Sequence, residues 1–182
     1  MIWITADNHF NHKNIIQLAN RPFETMDHMH QVMIDSWNAV VADNDEIHVL
    51  GDFAYAPGAQ GRNLEELFYT LKGRKHLTIG NHDEQNPKVL KLPWETAEHL
   101  RSFKSEGRRA VMCHYPLETW KSPKRYVMLH GHSHGTLKRV IARRQDVGVD
   151  VLGFAPVPLL ELIDRVHAQP FMPVDHHGDG KP

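Results

Sequence analysis

Five short apolar runs in this chain end in residues of one chemical kind, and that repetition constrains the fold more than any other feature. Met1 to Ala6 runs into Asp7-Asn8-His9, Ile47 to Leu50 into Gly51-Asp52, and His76 to Ile79 into Gly80-Asn81-His82-Asp83. Residues 125–130 run into Gly131-His132-Ser133-His134, and 109–113 into His114. Apolar runs this short, bounded by glycine and polar residues, read as buried strands. Helical patterns separate the first three. Residues 13–19 and 63–72 are two of them. The third spans 26–41, where Met26, Met29, Met33, Trp37, Val40 and Val41 recur at three- and four-residue spacing behind a capping Thr25. Strands alternating with helices predict an α/β fold, and in such sheets the carboxyl ends of the strands converge on one crevice. The polar clusters are therefore expected to meet.

The second half reads differently. Residues 109–113, 125–130, 136–141 and 147–152 have β character, Arg143-Arg144-Gln145 reads as a hairpin tip, and a last helix is expected near 157–167 after Pro156. The chain of 182 residues, 41% hydrophobic and 24% charged, fits one globular domain over 1–168, which excludes disorder and coiled coil. The remainder, 169–182, holds Pro and Gly with little apolar material and is expected to be a flexible tail. No apolar stretch approaches the roughly 18 residues of a membrane span, and the N-terminus lacks the pattern of a secretory signal. With a single cysteine, Cys113, no internal disulfide forms, and the expected location is cytoplasmic.

Charge is unevenly distributed. Residues 1–100 carry 8 Lys/Arg against 14 Asp/Glu, whereas 101–145 carry 11 against 2. Such a basic segment favours an anionic ligand only if its members share a face. Alternation over Lys138-Arg139-Val140-Ile141 divides them, so nucleic acid is not the favoured partner.

The more unusual feature is the 15 histidines. Carboxylate, amide oxygen and imidazole together, without thiolate, suit Mn²⁺, Fe, Zn²⁺, Ni²⁺ or Mg²⁺ rather than a sulfur-ligated centre. Asp7 with His9, and His132 with His134, are spaced i, i+2, which on extended chain points both side chains the same way. The ordered set Asp-x-His, Gly-Asp, Gly-Asn-His-Asp, a lone His and Gly-His-x-His resembles the calcineurin-like metallophosphoesterase superfamily. The opening His9-Phe10-Asn11-His12-Lys13-Asn14 and the stretch Asp146 to Val151 are similar to its small single-domain bacterial and phage branch.

The resemblance implies a four-layer αββα sandwich of two mixed sheets flanked by helices. It implies two divalent ions, manganese foremost: Asp7, His9 and His134 on one, Asn81, His114 and His132 on the other, and Asp52 bridging them. Two such ions activate a shared hydroxide for in-line attack on phosphorus. His82 would stand over the scissile phosphate as positioning group or general acid, with Asp83 as the partner of its imidazole. Asn8, His12 and Arg21 are candidate substrate contacts. Arg21 has a second reading, as half of a structural ion pair.

The chain lacks the Gly-Asp-x-x-Asp-Arg-Gly and Gly-Asn-His-Glu of the protein phosphatases, which points toward a small phosphodiester or phosphomonoester. A nuclease or cyclic-nucleotide phosphodiesterase is the alternative, and a non-catalytic metal-binding scaffold is one of another class. Trp94 and Trp120 are read as core, with base stacking as the other reading, and Cys113 as core filler. His30, His48, His76 and His130 are read as structural.

Overall fold

The computed structural model describes residues 1–55 and 61–172. The expected tail beyond 172, with its His176-His177 pair, and the middle of the 53–62 loop lie outside them. In chain order the elements are β1 (Ile2–Thr5), α1 (Ile15–Leu18), α2 (Met26–Val40), β2 (Glu46–Val49), α3 (Leu64–Thr70), β3 (Arg74–Thr78), α4 (Asn81–Glu84), α5 (Pro87–Leu90) and β4 (Thr96–Glu98). There follow β5 (Leu100–Ser105), β6 (Arg108–Cys113), β7 (Val127–His130), β8 (Arg144–Asp146), α6 (Val149–Leu152), β9 (Val157–Pro158) and α7 (Leu159–His167).

The fold is α/β, with two mixed sheets and flanking helices. The first sheet has the order β4-β3-β2-β1-β9, parallel except at β9, and the second has β5-β6-β7-β8, antiparallel only between β5 and β6. β1 pairs with β2 in the register Ile2 to Glu46, and β2 with β3 in the register Glu46 to Arg74, so all three strands end at one level. Period-two alternation then divides β1. Trp3 joins the helical layer with Ile47, Val49 and Leu77, against which α2 presses Met29, Met33, Ile34 and Trp37. Ile4 points the other way, to a second core between the sheets with Leu50, Met112, Val127 and Leu129. The stripe Leu159, Leu162, Ile163 and Val166 of α7 belongs to that second core. The outer face of the second sheet is closed by Tyr126 with Leu117 and Trp120 of the preceding loop, in place of a long helix.

α2 matches its expected span because Thr25 accepts a hydrogen bond from the amide of His28 and caps it. The second half departs from expectation at three places. Residues 136–141 form no strand; they are largely exposed, Val140 at 89%. The expected hairpin tip is instead part of β8, the edge strand of the second sheet, which pairs parallel with β7 and so cannot be reached by a hairpin. Residues 149–152 are helix α6, bracketed by Gly148 and by Gly153 at φ +76°. Strands β4 and β5 had no clear sequence signal, because β5 lies at a sheet edge with Phe103 as its one buried residue.

Trp94 packs edge-on against Phe53 and Phe68, with ring centroids 5.2 and 4.9 Å away, and Trp120 donates its indole N–H to the Tyr126 carbonyl. Both are half-buried and pack against the cores. Among the described residues no helix is long and apolar enough to cross a membrane.

Candidate metal centre

The loops leaving β1 and β2 are held side by side by backbone bonds: the Asp7 amide donates to Gly51, His9 to Asp52, and Phe10 to Phe53. Asp7, His9, Asp52, His132 and His134 all have positive φ, between 47° and 67°. The i, i+2 pairs are therefore not extended as their spacing suggested. A left-handed residue at each position turns the side chain back over the strand ends, a conformation that costs a non-glycine residue of order 1–2 kcal/mol. Gly51 and Gly80 let the loops close. At Gly51, φ is +85° and a Cβ would lie 2.4 Å from His114 Nδ1; at Gly80 it would lie 2.4 Å from Asp52 Oδ1.

The predicted ligands converge. Asp7, His9 and His134 form one group whose donor atoms lie within 4.8 Å of one another, and Asp52, His114 and His132 form a second. Asp52 Oδ2 stands between the groups, 3.6 Å from His9 Nε2 and 3.4 Å from His114 Nε2. Asn81 joins the second, its Oδ1 being 3.1 Å from His114 Nε2.

The donor set fits cations for a physical reason. His114 sits 2.9 Å from the Leu50 carbonyl through Nδ1, which assigns the ring proton there and leaves Nε2 as a lone pair. That lone pair faces Asn81 Oδ1, Asp52 Oδ2 and His132 Nδ1, which is 3.2 Å away, so acceptors converge on acceptors. Burial opposes charge on His114, but the Asp52 hydrogen bond and the charges of Asp52 and Asp7 raise its pKa to about 9.

Asp7 is fully buried, its Oδ2 has no partner, and burial pushes its carboxyl up to about 7 against the attraction of His114 and His134. The buried Nε2 of His9 is likewise unpartnered, and burial lowers its pKa well below the usual histidine value, keeping the ring neutral as a ligand must be. Burial opposes the Asp52 charge, but His114 and His9 hold its carboxyl down to about 2.

Around these groups the structure assigns places that differ from several expectations. Arg21, with a side chain fully out of solvent, does not face the cleft. It forks onto Asp150 at 2.8 and 2.9 Å and donates to the backbone carbonyls of Asp7 and Asn8 at 2.7 and 3.0 Å. Its structural reading is the one that holds. Asp150 was not singled out from the sequence. It lies 2.7 Å from His134 Nδ1, so it orients that ring and leaves Nε2 for the first group.

Asp83 does not meet the His82 imidazole. Its two oxygens accept from the amides of Asp52, Phe53 and Gly80 at 2.8, 3.0 and 2.9 Å, which ties the β2 and β3 loops together. It positions the Asp52 loop rather than the His82 ring. Asn8 is buried with its amide nitrogen toward Thr5 and does not line the cleft.

His12 does line it, with Nδ1 3.2 Å from His9 Nδ1 and its ring stacked on Tyr55 at 4.4 Å. Burial lowers its pKa to about 4, with the charges of His82 and Arg21 adding to the effect. His82 also lines the cleft, edge-on to His9 at 4.9 Å, with a buried Nδ1 that has no partner. The cleft holds about 610 Å³. Among the described residues none of the Lys or Arg of 101–145 lines it. Several are engaged elsewhere, Arg108 on Asp164, Arg139 on Glu118, and Arg143 on the Lys124 carbonyl.

This arrangement of two carboxylates, an amide and four imidazoles at the carboxyl ends of strands defines a metallohydrolase site. The family model for calcineurin-like phosphoesterases matches residues 1–179, and the chain belongs to that family of metal-dependent phosphoric ester hydrolases. The chain is 29% identical over 173 residues to an uncharacterized protein of Methanocaldococcus jannaschii, covering 90% of this chain and 92% of the relative. It is 25% identical over 201 residues to the Gene 66 protein of Mycobacterium phage L5, covering 92% and 96%. A solved structure of a protein of unknown function from Aquifex aeolicus shares the fold, with a TM-score of 0.70, 24% identity, and coverage of 91% of this chain and 98% of that one.

Proposed function

We propose that the protein hydrolyses a small phosphodiester or a phosphomonoester, with diesters preferred, using two divalent ions of which manganese is the first choice. The reading rests above all on Asp52, a single carboxylate within 3.6 Å of one imidazole group and 3.4 Å of the other. Asp7, His9 and His134 would hold one ion, Asn81, His114 and His132 the other, and Asp52 both. Bound there, the ions supply Lewis acidity toward phosphoryl oxygens and lower the pKa of water to the neutral range.

The chain's own groups do the rest. Arg21 and Asp150 fix the Asp7 backbone and the His134 ring, and Asp83 fixes the Asp52 loop. His82 presents its imidazole to the cleft, where it hydrogen-bonds a phosphoryl oxygen or delivers a proton to the leaving oxygen. The absence of cleft-lining Lys and Arg among the described residues weighs against a nucleic-acid substrate. We place the protein in the cytoplasm, a reading supported by its single, buried cysteine.

The test is hydrolysis of bis-p-nitrophenyl phosphate and p-nitrophenyl phosphate by metal-stripped protein reloaded with Mn²⁺, beside Asp52→Asn and His82→Ala. Asp52→Asn should lose turnover and impair metal loading. His82→Ala should keep both ions and lose about 10²–10⁴-fold in kcat. Normal turnover by Asp52→Asn with two ions bound would reject the shared-carboxylate model.

A further inference from the structure

The cleft beside the metal centre has walls of unequal character. Its volume of about 610 Å³ falls within the roughly 300–1,000 Å³ of sites that enclose a whole small molecule, far more than a phosphate group alone would occupy. Part of the lining is apolar and comes from α1 and the residue after it: Leu18 and Ala19, with Ile15 buried beneath them in the first core. Leu18 is 76% exposed, so its side chain is available to a molecule in the cleft. Tyr55 continues this surface, its ring stacked on His12 at an interplanar angle of 26°. The loop after His132 offers small uncharged hydrogen-bonding groups, Ser133 and Thr136, and Asn20 follows the end of α1.

Charge is distributed just as unevenly. No Lys or Arg lines the cleft among the described residues, and the guanidinium nearest the site, that of Arg21, is consumed by Asp150 and two carbonyls. One phosphate can be neutralised at the metal centre. A second anionic group further out would find no Lys or Arg among the described lining residues to pair with, and would gain nothing from the apolar wall.

We infer that the site takes an ester bearing one phosphate joined to an uncharged, ring-containing group, and that this group lies on the wall formed by Leu18, Ala19 and Tyr55. The inference deepens the phosphoesterase reading and rests on it for the phosphate anchor. Leu18 is then a specificity-determining residue that contributes nothing to the metals themselves. The few uncharged polar groups of the cleft set the orientation of the ring.

Non-hydrolysable probes test this without turnover. Manganese-loaded protein is titrated by calorimetry with methylphosphonate, phenylphosphonate and 4-carboxyphenylphosphonate. The wild type should bind the phenyl compound about tenfold more tightly than the methyl compound, the ratio expected when roughly half of a phenyl ring leaves water. It should bind the carboxyphenyl compound more weakly than the phenyl compound. Leu18→Ser should bring the phenyl-to-methyl ratio to within about twofold of one. Leu18→Lys should reverse the order and favour the carboxylate, which shows that the wall is contacted even if Leu18→Ser repacks. Tight binding of methyl and phenyl compounds alike, unaltered in both variants, would overturn the inference and leave the phosphoesterase reading standing. Failure of the manganese-loaded protein to bind any of the three would remove the phosphate anchor and overturn both.

Discussion

Replacing Asp150 by alanine separates what the metal ligands do from what holds them. Asp150 is almost buried, 8% exposed at its side chain, and Arg21 is wholly so. The substitution removes two charge-assisted bonds to Arg21, at 2.8 and 2.9 Å, and the one at 2.7 Å to His134. Breaking a buried pair from one side costs about 3–5 kcal/mol, since the surviving charge stays out of water. Arg21 keeps its carbonyl acceptors on Asp7 and Asn8, so the low end, about 3 kcal/mol, is expected. For a chain of this size each kcal/mol lowers Tm by roughly 2–4 °C, giving a fall of about 6–12 °C in the metal-free protein. The same change releases the His134 ring, and loss of an outer hydrogen-bond partner weakens metal binding about 10–100-fold. Thermal unfolding in chelator and calorimetric titration with Mn²⁺ read the two effects separately. Asp150→Asn, which keeps the shape and loses the charge, should fall between. If Asp150→Ala melts within about 2 °C of the wild type and binds Mn²⁺ as tightly, the relay from Arg21 to His134 does not support the site.

Three further outcomes are expected. Gly80→Ala forces a Cβ to within 2.4 Å of Asp52 Oδ1 and 2.7 Å of its amide nitrogen, so it should cost about 1–3 kcal/mol by denaturant unfolding and lower metal affinity; unchanged affinity would mean that Asp52 is not confined there. His48 is buried at the ring face of His76, with centroids 4.8 Å apart, and near Phe103, and burial with the charges of His76 and Arg101 lowers its pKa to about 3. Unfolding releases a histidine of ordinary pKa, so its contribution is complete above about pH 6.5 and is lost as pH falls toward 3, amounting to about 2–3 kcal/mol at pH 4.5. His48→Phe should lose that much less stability than the wild type between pH 7.5 and 4.5, and equal losses would refute the assignment. Removing metal from protein held at about 100 times its dissociation constant should lower stability by about 2.7 kcal/mol and Tm by roughly 5–10 °C, and a Tm indifferent to chelator would argue against tight loading.

What the sequence made legible was the part of the site governed by a general rule. Asp7, Asp52 and Asn81 lie where apolar runs stop, and parallel pairing of β1, β2 and β3 in near-equal register brings such stops to one edge, while His114 ends an apolar strand of the second sheet. Arg21 and Asp150 were not legible as a pair, because 129 residues separate them and no local spacing reports a contact of that range. The segment from Arg143 to Leu152 misled for a different reason. Val147, Val149 and Val151 alternate as a strand would, yet Gly148 and Gly153 bracket a single helical turn, and pairing with β7 stops at Asp146. Alternation in so short a run does not decide between strand and turn when the tertiary partner is already paired.

The convergent geometry itself has a cost that clarifies the purpose of the site. A domain's net stability is only about 5–15 kcal/mol, and this one holds five candidate ligands at positive φ, each strained by of order 1 kcal/mol or more. It also buries Asp7 Oδ2, His9 Nε2 and His82 Nδ1 without partners, where each missing bond costs about 1–3 kcal/mol. None of these features improves packing, since the two cores are made by other residues. Of the seven buried side-chain atoms without partners among the described residues, two belong to the candidate ligands Asp7 and His9, and one to the His82 imidazole that faces the cleft. A fold that no longer bound metal would relax at these positions, because an apolar residue at Asp7 or a glycine at His132 would remove the cost. Left-handed backbone and unpaired atoms occur elsewhere in the fold as well, but at this site they fall on convergent metal-type donors, which metal binding would satisfy.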